Sequence, residues 1–169
     1  MIVLLFMIAW VLSTAIQEKP DFSGEWVLNR SASTLSPGAD AMQSGVVRIE
    51  HKEPVFRYKA TLVSPGGSIE YAFELLSDGR EVTGTERGRE TTSSLRWDGD
   101  ALLYTGRVQR SDGELKISFR YELLDGGRRL RAVEQLRGGG RDQDNVWIFD
   151  RRSAASPVVL GLTVFVLGG

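Results

Sequence analysis

The sequence predicts an all-β domain, an antiparallel up-and-down barrel of about eight to ten strands, with a β-sandwich as the alternative. Three observations lead there. Apolar and polar residues alternate with period two over long stretches of the chain. Hairpin turn residues punctuate those stretches at short intervals. Nothing between residues 24 and 152 repeats with the helical period.

The alternation sets the faces. Phe56, Tyr58, Ala60 and Leu62 alternate with Arg57, Lys59 and Thr61. Ile69, Tyr71, Phe73 and Leu75 alternate with Glu70, Ala72 and Glu74, and Leu115, Ile117, Phe119, Tyr121 and Leu123 with Lys116, Ser118, Arg120 and Glu122. One face of each strand is apolar and the other wet, as in antiparallel sheets. Ten strands are expected near 24–29, 45–52, 55–63, 68–76, 80–86, 91–97, 101–109, 114–124, 128–137 and 145–151. Asp78-Gly79, Asp98-Gly99, Asp112-Gly113 and Asp125-Gly126-Gly127 supply the positive φ of tight turns. The longer connection from Arg30 to Ser44 has room for one short helical turn. Closure into a barrel follows from edges: a ten-strand meander left open would expose two.

Length and composition narrow the function. At 169 residues the chain suits one domain. The absence of cysteine excludes disulfides, thiolate metal sites and cysteine nucleophiles. With 21 basic and 22 acidic residues there is no general attraction to nucleic acid, and no nucleic-acid partner is expected.

The ends differ from the middle. Residues 1–15 read as a signal peptide: Met1 to Leu12 is apolar, and Ser13-Thr14-Ala15 places small residues at a cleavage site. The run is shorter than the roughly 20 apolar residues of a membrane span. The expected location is secreted or periplasmic; an uncleaved N-terminal anchor is the alternative. Residues 20–152 form the barrel domain, and 153–169 an apolar tail. Three readings of the tail stay open: part of a membrane span that gives membrane contact, an extra strand, or a tail of no function.

Gly24-Glu25-Trp26 opens the first expected strand. Here the chain resembles the calycin superfamily, the lipocalins and fatty-acid-binding proteins, which carry Gly-x-Trp at that place. It also resembles small exported bacterial proteins described as lipocalin-like, in Asp21-Phe22-Ser23-Gly24-x-Trp26-x-Leu28-Asn29, in Trp97-Asp98-Gly99-Asp100-x-Leu102, and in Phe149-Asp150-Arg151. The resemblance spans about Pro20 to Arg152. It implies that Trp26 closes one end of the barrel beside an arginine of the last strand, Arg151 or Arg152. It also implies a small hydrophobic or amphipathic ligand held inside. Tyr58, Tyr71, Phe73, Tyr104, Phe119 and Tyr121 share the inward parity of their strands and are the candidate ligand-binding residues. They would be plain core in a filled barrel. The chain departs from fatty-acid-binding proteins in one respect. It has no Arg-x-Tyr on the last strands, so the ligand's polar end is expected in water at the open mouth.

Other motifs have plain readings. His51 is the only histidine and reads as a strand-end surface residue, or one at a barrel mouth. Asp78, Asp98, Asp100 and Asp112 are turn residues, and Asp142, Asp144 and Asn145 a solvated loop. Arg128, Arg129 and Arg131, with Arg137 and Arg141, form a candidate anion patch. No catalytic residue, metal site or cofactor is assigned. Three functions compete: an exported carrier of a small apolar molecule, a filled barrel that works through its surface, and a calycin-type enzyme using Tyr, Arg and His51. The resemblance favours the carrier.

N-terminal sequencing of the exported protein should begin at Ile16; a mature chain that retains Met1 contradicts the signal-peptide reading.

Overall fold

The computed structural model describes residues 18–86, 88–140 and 142–153. The expected signal peptide, residues 1–15, and the tail from residue 154 on lie outside the described residues. Ten strands form one antiparallel sheet: β1 (Gly24–Leu28), β2 (Ser44–Lys52), β3 (Val55–Ser64), β4 (Gly67–Leu76), β5 (Val82–Glu86), β6 (Arg89–Asp98), β7 (Ala101–Arg110), β8 (Gly113–Leu124), β9 (Arg129–Arg137) and β10 (Gln143–Arg151). Each lies within two residues of the expected bounds at either end. The start of β5 is delayed because Arg80 donates its backbone N–H to Asp78 Oδ1 at 3.0 Å, which extends the turn.

The order β4-β3-β2-β1-β10-β9-β8-β7-β6-β5 describes two meanders, β1–β4 and β5–β10. They join where the first strand pairs with the last, Trp26 opposite Arg151 and Leu28 opposite Phe149. β4 and β5 are the two edges of the rolled sheet. No ladder pairs them; at one end the turn after β4 reaches across to β6, where Asp78 bridges Arg96 and Gly79 donates to the Leu95 carbonyl at 2.8 Å. The result is a nearly closed barrel with a lateral gap.

The two ends differ. At the closed end the chain before β1 packs beneath the barrel. Phe22 and Trp26 are fully buried, and Trp26 Nε1 donates to the Phe22 carbonyl at 3.1 Å. The Arg151 guanidinium lies 4.1 Å from the Trp26 ring centroid, donates through Nη1 to the Ser23 carbonyl and through Nε to the Gly127 carbonyl. Three elements are thereby tied by one side chain. Gly24 makes this approach possible: its φ is +143°, and a Cβ there would sit 2.6 Å from Arg151 Nη1.

At the open end the β1–β2 connection begins with a 3-10 turn (Arg30–Ala32), capped by Asn29 Oδ1, which accepts from Ala32 N at 3.0 Å. The segment then crosses towards β10. Thr34 bridges Val146, and Ser36 N donates to Asn145 Oδ1 at 2.7 Å. Ala39 is buried, and Leu35 and Met42 pack on the core.

Trp26→Ala should lower stability by about 3–5 kcal/mol, the usual cost of removing a fully buried large aromatic. Gly24→Ala should cost about 1–3 kcal/mol through backbone strain and displacement of Arg151. Urea unfolding measures both; a loss under about 1 kcal/mol for Trp26→Ala would remove it from the core.

Candidate functional site

The inner face of the barrel changes character along its axis. In the closed half it is filled by rings. Phe22, His51, Phe56 and Trp97 form one group, with centroids 5.5–6.4 Å apart. Phe56 continues the contacts to Phe73 at 6.1 Å and Tyr121 at 6.2 Å. Tyr121 is 2% exposed and belongs to this packed region. Each such pair adds about 0.5–1.5 kcal/mol beyond its buried area.

A carboxylate organises the bottom of this group. Glu53, from the β2–β3 turn, accepts from His51 Nε2 at 2.8 Å and Trp97 Nε1 at 3.0 Å on one oxygen, and from Ser77 Oγ at 2.8 Å on the other. Partial burial pulls its pKa up, but the bonds from His51, Ser77 and Trp97 outweigh that and hold it below the ordinary carboxylate value. The Phe22 N–H donates to His51 Nδ1 at 3.3 Å. With Nδ1 accepting, the ring proton sits on Nε2 and goes to Glu53. The expectation of a surface or mouth histidine is corrected: the His51 side chain is 3% exposed, held by Glu53 and enclosed by Phe22, Phe56 and Trp97. Both ring nitrogens are engaged within the protein, so His51 does not face a substrate.

Towards the open end the inner face loosens. Tyr58 stacks on Phe73 at 4.9 Å, Phe73 on Tyr104 at 5.0 Å, and Tyr104 meets Phe119 at 6.3 Å. These four rings point inward by strand register yet are only half-buried. Leu62, Ile69, Ile117 and Leu136 share both properties. Tyr104 lies flat against its own strand because Gly106 has no side chain; a Cβ there would come 2.8 Å from the Tyr104 hydroxyl. Tyr71 is 48% exposed and Val82 54%. Both have inward parity, and they flank the gap between β4 and β5. The six candidate ligand residues therefore divide. Tyr58, Phe73, Tyr104 and Phe119 line the loosened half, Tyr71 stands at the gap, and Tyr121 lies in the packed half.

Below the open rim, where Arg89 and Arg110 are inward by register, one charged group faces this half. Glu134 on β9 is half-buried and opposite Phe119 and Asn145 in register. Its Oε2 accepts from Asn145 Nδ2 at 2.8 Å and Trp147 Nε1 at 2.7 Å. Asn145, 1% exposed, was expected in a solvated loop; it is the first inward position of β10 above Trp147 and links Glu134 to the β1–β2 connection. Burial raises the Tyr58 and Tyr121 phenols above their ordinary pKa, and the Glu134 charge adds to this. The sequence reading missed Glu134, although the inward phase set by Leu130 and Ala132 points to it.

The basic residues expected as an anion patch gather only in part: Arg128 and Arg129 line one cleft with Arg151, beside Asp125 and Asp150. Arg129 pairs with Asp125 and Asp150, Arg131 with Glu122, and Arg137, at the other end, with Asp144. Arg141 lies outside the described residues. Asp98 pairs with Arg120, Asp78 with Arg80 and Asp112 with Arg110. No group of acidic and histidine side chains suited to a metal ion occurs among the described residues. A cleft of about 360 Å³ on β6–β9 is lined by Thr92, Ser94, Thr105, Arg107, Lys116 and Arg137. These are outward positions, while Ser93, Gly106 and Ile117, which also line it, are inward, so the cleft lies mainly on the outer face of the sheet.

Solved structures share this architecture. Secretory abundant heat soluble protein 4 from Ramazzottius varieornatus aligns with 81% of this chain and 99% of its own, at a TM-score of 0.54 and 14% identity. A mutant of the REP1-NXSQ fatty acid transporter covers 78% of this chain and 98% of its own, at 0.50 and 17%. The chain has a calycin-like barrel fold. A mutant of the fluorescent protein UnaG aligns with 79% of the chain and 97% of its own, at 0.50 and 20% identity. No protein-family model and no curated protein matches the sequence.

Because folding lowers the Glu53 pKa, the carboxylate stabilises the barrel above its unfolded value, near 4.5, and that contribution is lost as pH falls through the folded value. Unfolding of wild type and Glu53→Gln between pH 7 and 3 should show the wild-type advantage shrinking below about pH 4.5. A difference that does not change with pH would contradict the role given to this carboxylate.

Proposed function

We propose that this chain is an exported binding protein that holds a small hydrophobic or amphipathic molecule on the inner face of the open half of its barrel. The observation that carries the reading is the set Tyr58, Phe73, Tyr104 and Phe119. All four face inward, and none is fully buried. Rings that the protein itself leaves half-covered gain about 25 cal/mol for each Å² a ligand takes from water. Tyr58 and Tyr104 add hydroxyls beside apolar surface, a pairing suited to amphipathic molecules.

Two further points support the reading. The gap between β4 and β5, with Tyr71 and Val82 on its borders, offers a lateral route to those rings. One structural neighbour is named as a fatty acid transporter. Export rests on Met1 to Ala15, and the likeness to small exported bacterial lipocalin-like proteins rests on the Gly24-x-Trp26, Trp97-Asp98-Gly99-Asp100 and Phe149-Asp150-Arg151 motifs. The filled-barrel reading draws on the closed half, where Phe22, Phe56 and Tyr121 are buried and Trp97 is partly buried against them.

A panel of fluorescent fatty acids, fatty alcohols, fatty amines, retinoids and porphyrins should contain at least one member that binds tighter than about 100 μM, near −5.5 kcal/mol. Phe119→Ala should weaken that binding about tenfold or more while leaving the fold intact by circular dichroism. If no member binds below that concentration, the filled barrel becomes the better account.

A further inference from the structure

We infer that the interior site selects a ligand whose polar end donates hydrogen bonds, an amine or an alcohol, and rejects a carboxylate. The inference deepens the binding reading above and rests on it.

Away from the two rims, the inward positions of all ten strands are apolar, aromatic or neutral, except Glu134. Between the rims the interior thus carries one formal charge among the described residues, and it is negative; Arg89 and Arg110 are inward only at the open rim, where Arg110 pairs with Asp112. Arg120 and Arg131 are outward by register, and both bond to Glu122. Arg151 faces the closed end, on the far side of the ring-filled half. Among the described residues no cation pairs with Glu134, whose bonds come from Asn145 and Trp147.

The carboxylate is satisfied on one side only. Both donors, Asn145 Nδ2 and Trp147 Nε1, reach Oε2. Oε1 has no hydrogen bond from any described residue. The side chain is half-buried, so solvent or a ligand has access to it, and it stands next to Phe119 in the loosened half. A carboxylate accepts and does not donate. An incoming carboxylate would meet a like charge where water is scarce and screening weak. An ammonium or hydroxyl would donate to Oε1, with the charge-assisted bond the stronger. Tyr58 and Tyr121 keep their protons under the raised pKa, so no phenolate alters this preference.

The geometry also revises the sequence expectation for the ligand's polar end. Glu134, not water at the mouth, meets that end, and an apolar tail lies along Tyr58, Phe73, Tyr104 and Phe119.

Dodecylamine, dodecanol and dodecanoate, each below its critical micelle concentration, provide the test by isothermal titration at pH 7. Wild type should bind the amine at least about tenfold tighter than dodecanoate, with the alcohol between them. Glu134→Gln should bring the three within about threefold of one another, and its circular dichroism and urea midpoint report whether it folds. Glu134→Asp, which keeps the charge, should retain the amine preference. Dodecanoate binding as well as the amine in wild type, or an unchanged order in Glu134→Gln, would overturn the selectivity while leaving the binding reading in place. Failure of all three chains to bind wild type would overturn the binding reading itself.

Discussion

A barrel made from a meander has one seam that no hairpin can supply. Here it is the pairing of β1 with β10, strands separated by nearly the whole domain. Every other strand pair joins chain neighbours. Loop-closure entropy makes the distant pair the hardest contact to form. Its side chains are correspondingly specific. Trp26 lies opposite Arg151, and the guanidinium covers the indole and bonds the Ser23 and Gly127 carbonyls. Cation–π contact of this kind contributes about 0.5–2 kcal/mol, and the two hydrogen bonds hold the β8–β9 turn and the segment before β1 in the same place. The barrel axis, the closed end and the inward phase of all ten strands follow from that seam.

The seam also explains the division of the interior. Chain before β1 packs beneath Trp26, so Phe22 reaches the rings of His51, Phe56 and Trp97. Glu53 then gathers the polar edges of that group. The opposite end has only the β1–β2 connection, tied down through Ser36 and Asn145. β4 and β5 are not paired, and the turn after β4 bridges β6 at the closed end. The filled half therefore gives rigidity, and the loosened half gives inward rings that are not fully covered. A stable end and an accessible end are what a binding barrel requires of one core.

The strands were legible because period two and Asp-Gly turns are local signals. The expected ends at 55–63 and 101–109 differ from β3 and β7 by one residue. The six inward aromatics were legible for the same reason. Depth along the barrel axis was not. Tyr71, Phe73 and Tyr121 look equivalent in sequence, yet one borders the gap, one lines the open half and one is enclosed, because exposure depends on where the edges part. His51 looked like a strand-end surface residue because its partners come from elsewhere: Phe22 precedes β1, and Trp97 ends β6. Asn145 looked like loop because Asp142, Asp144 and the glycines before it disguise the start of β10. Glu134 sits between Val133 and Gln135 and reads as an ordinary strand charge until Leu130 and Ala132 fix its phase.

The central claim is that the open half of the interior, lined by Tyr58, Phe73, Tyr104, Phe119 and Glu134, is where a small amphipathic molecule resides. Isotope-edited nuclear Overhauser spectra of labelled protein with unlabelled dodecanol address it directly. Cross-peaks from the alkyl chain should fall on the ring protons of Tyr58, Phe73, Tyr104 and Phe119, and be absent from Phe22, Phe56 and Trp97. Cross-peaks confined to outward residues such as Thr92, Thr105 and Ser118, or none at all at saturating alcohol, would contradict the account.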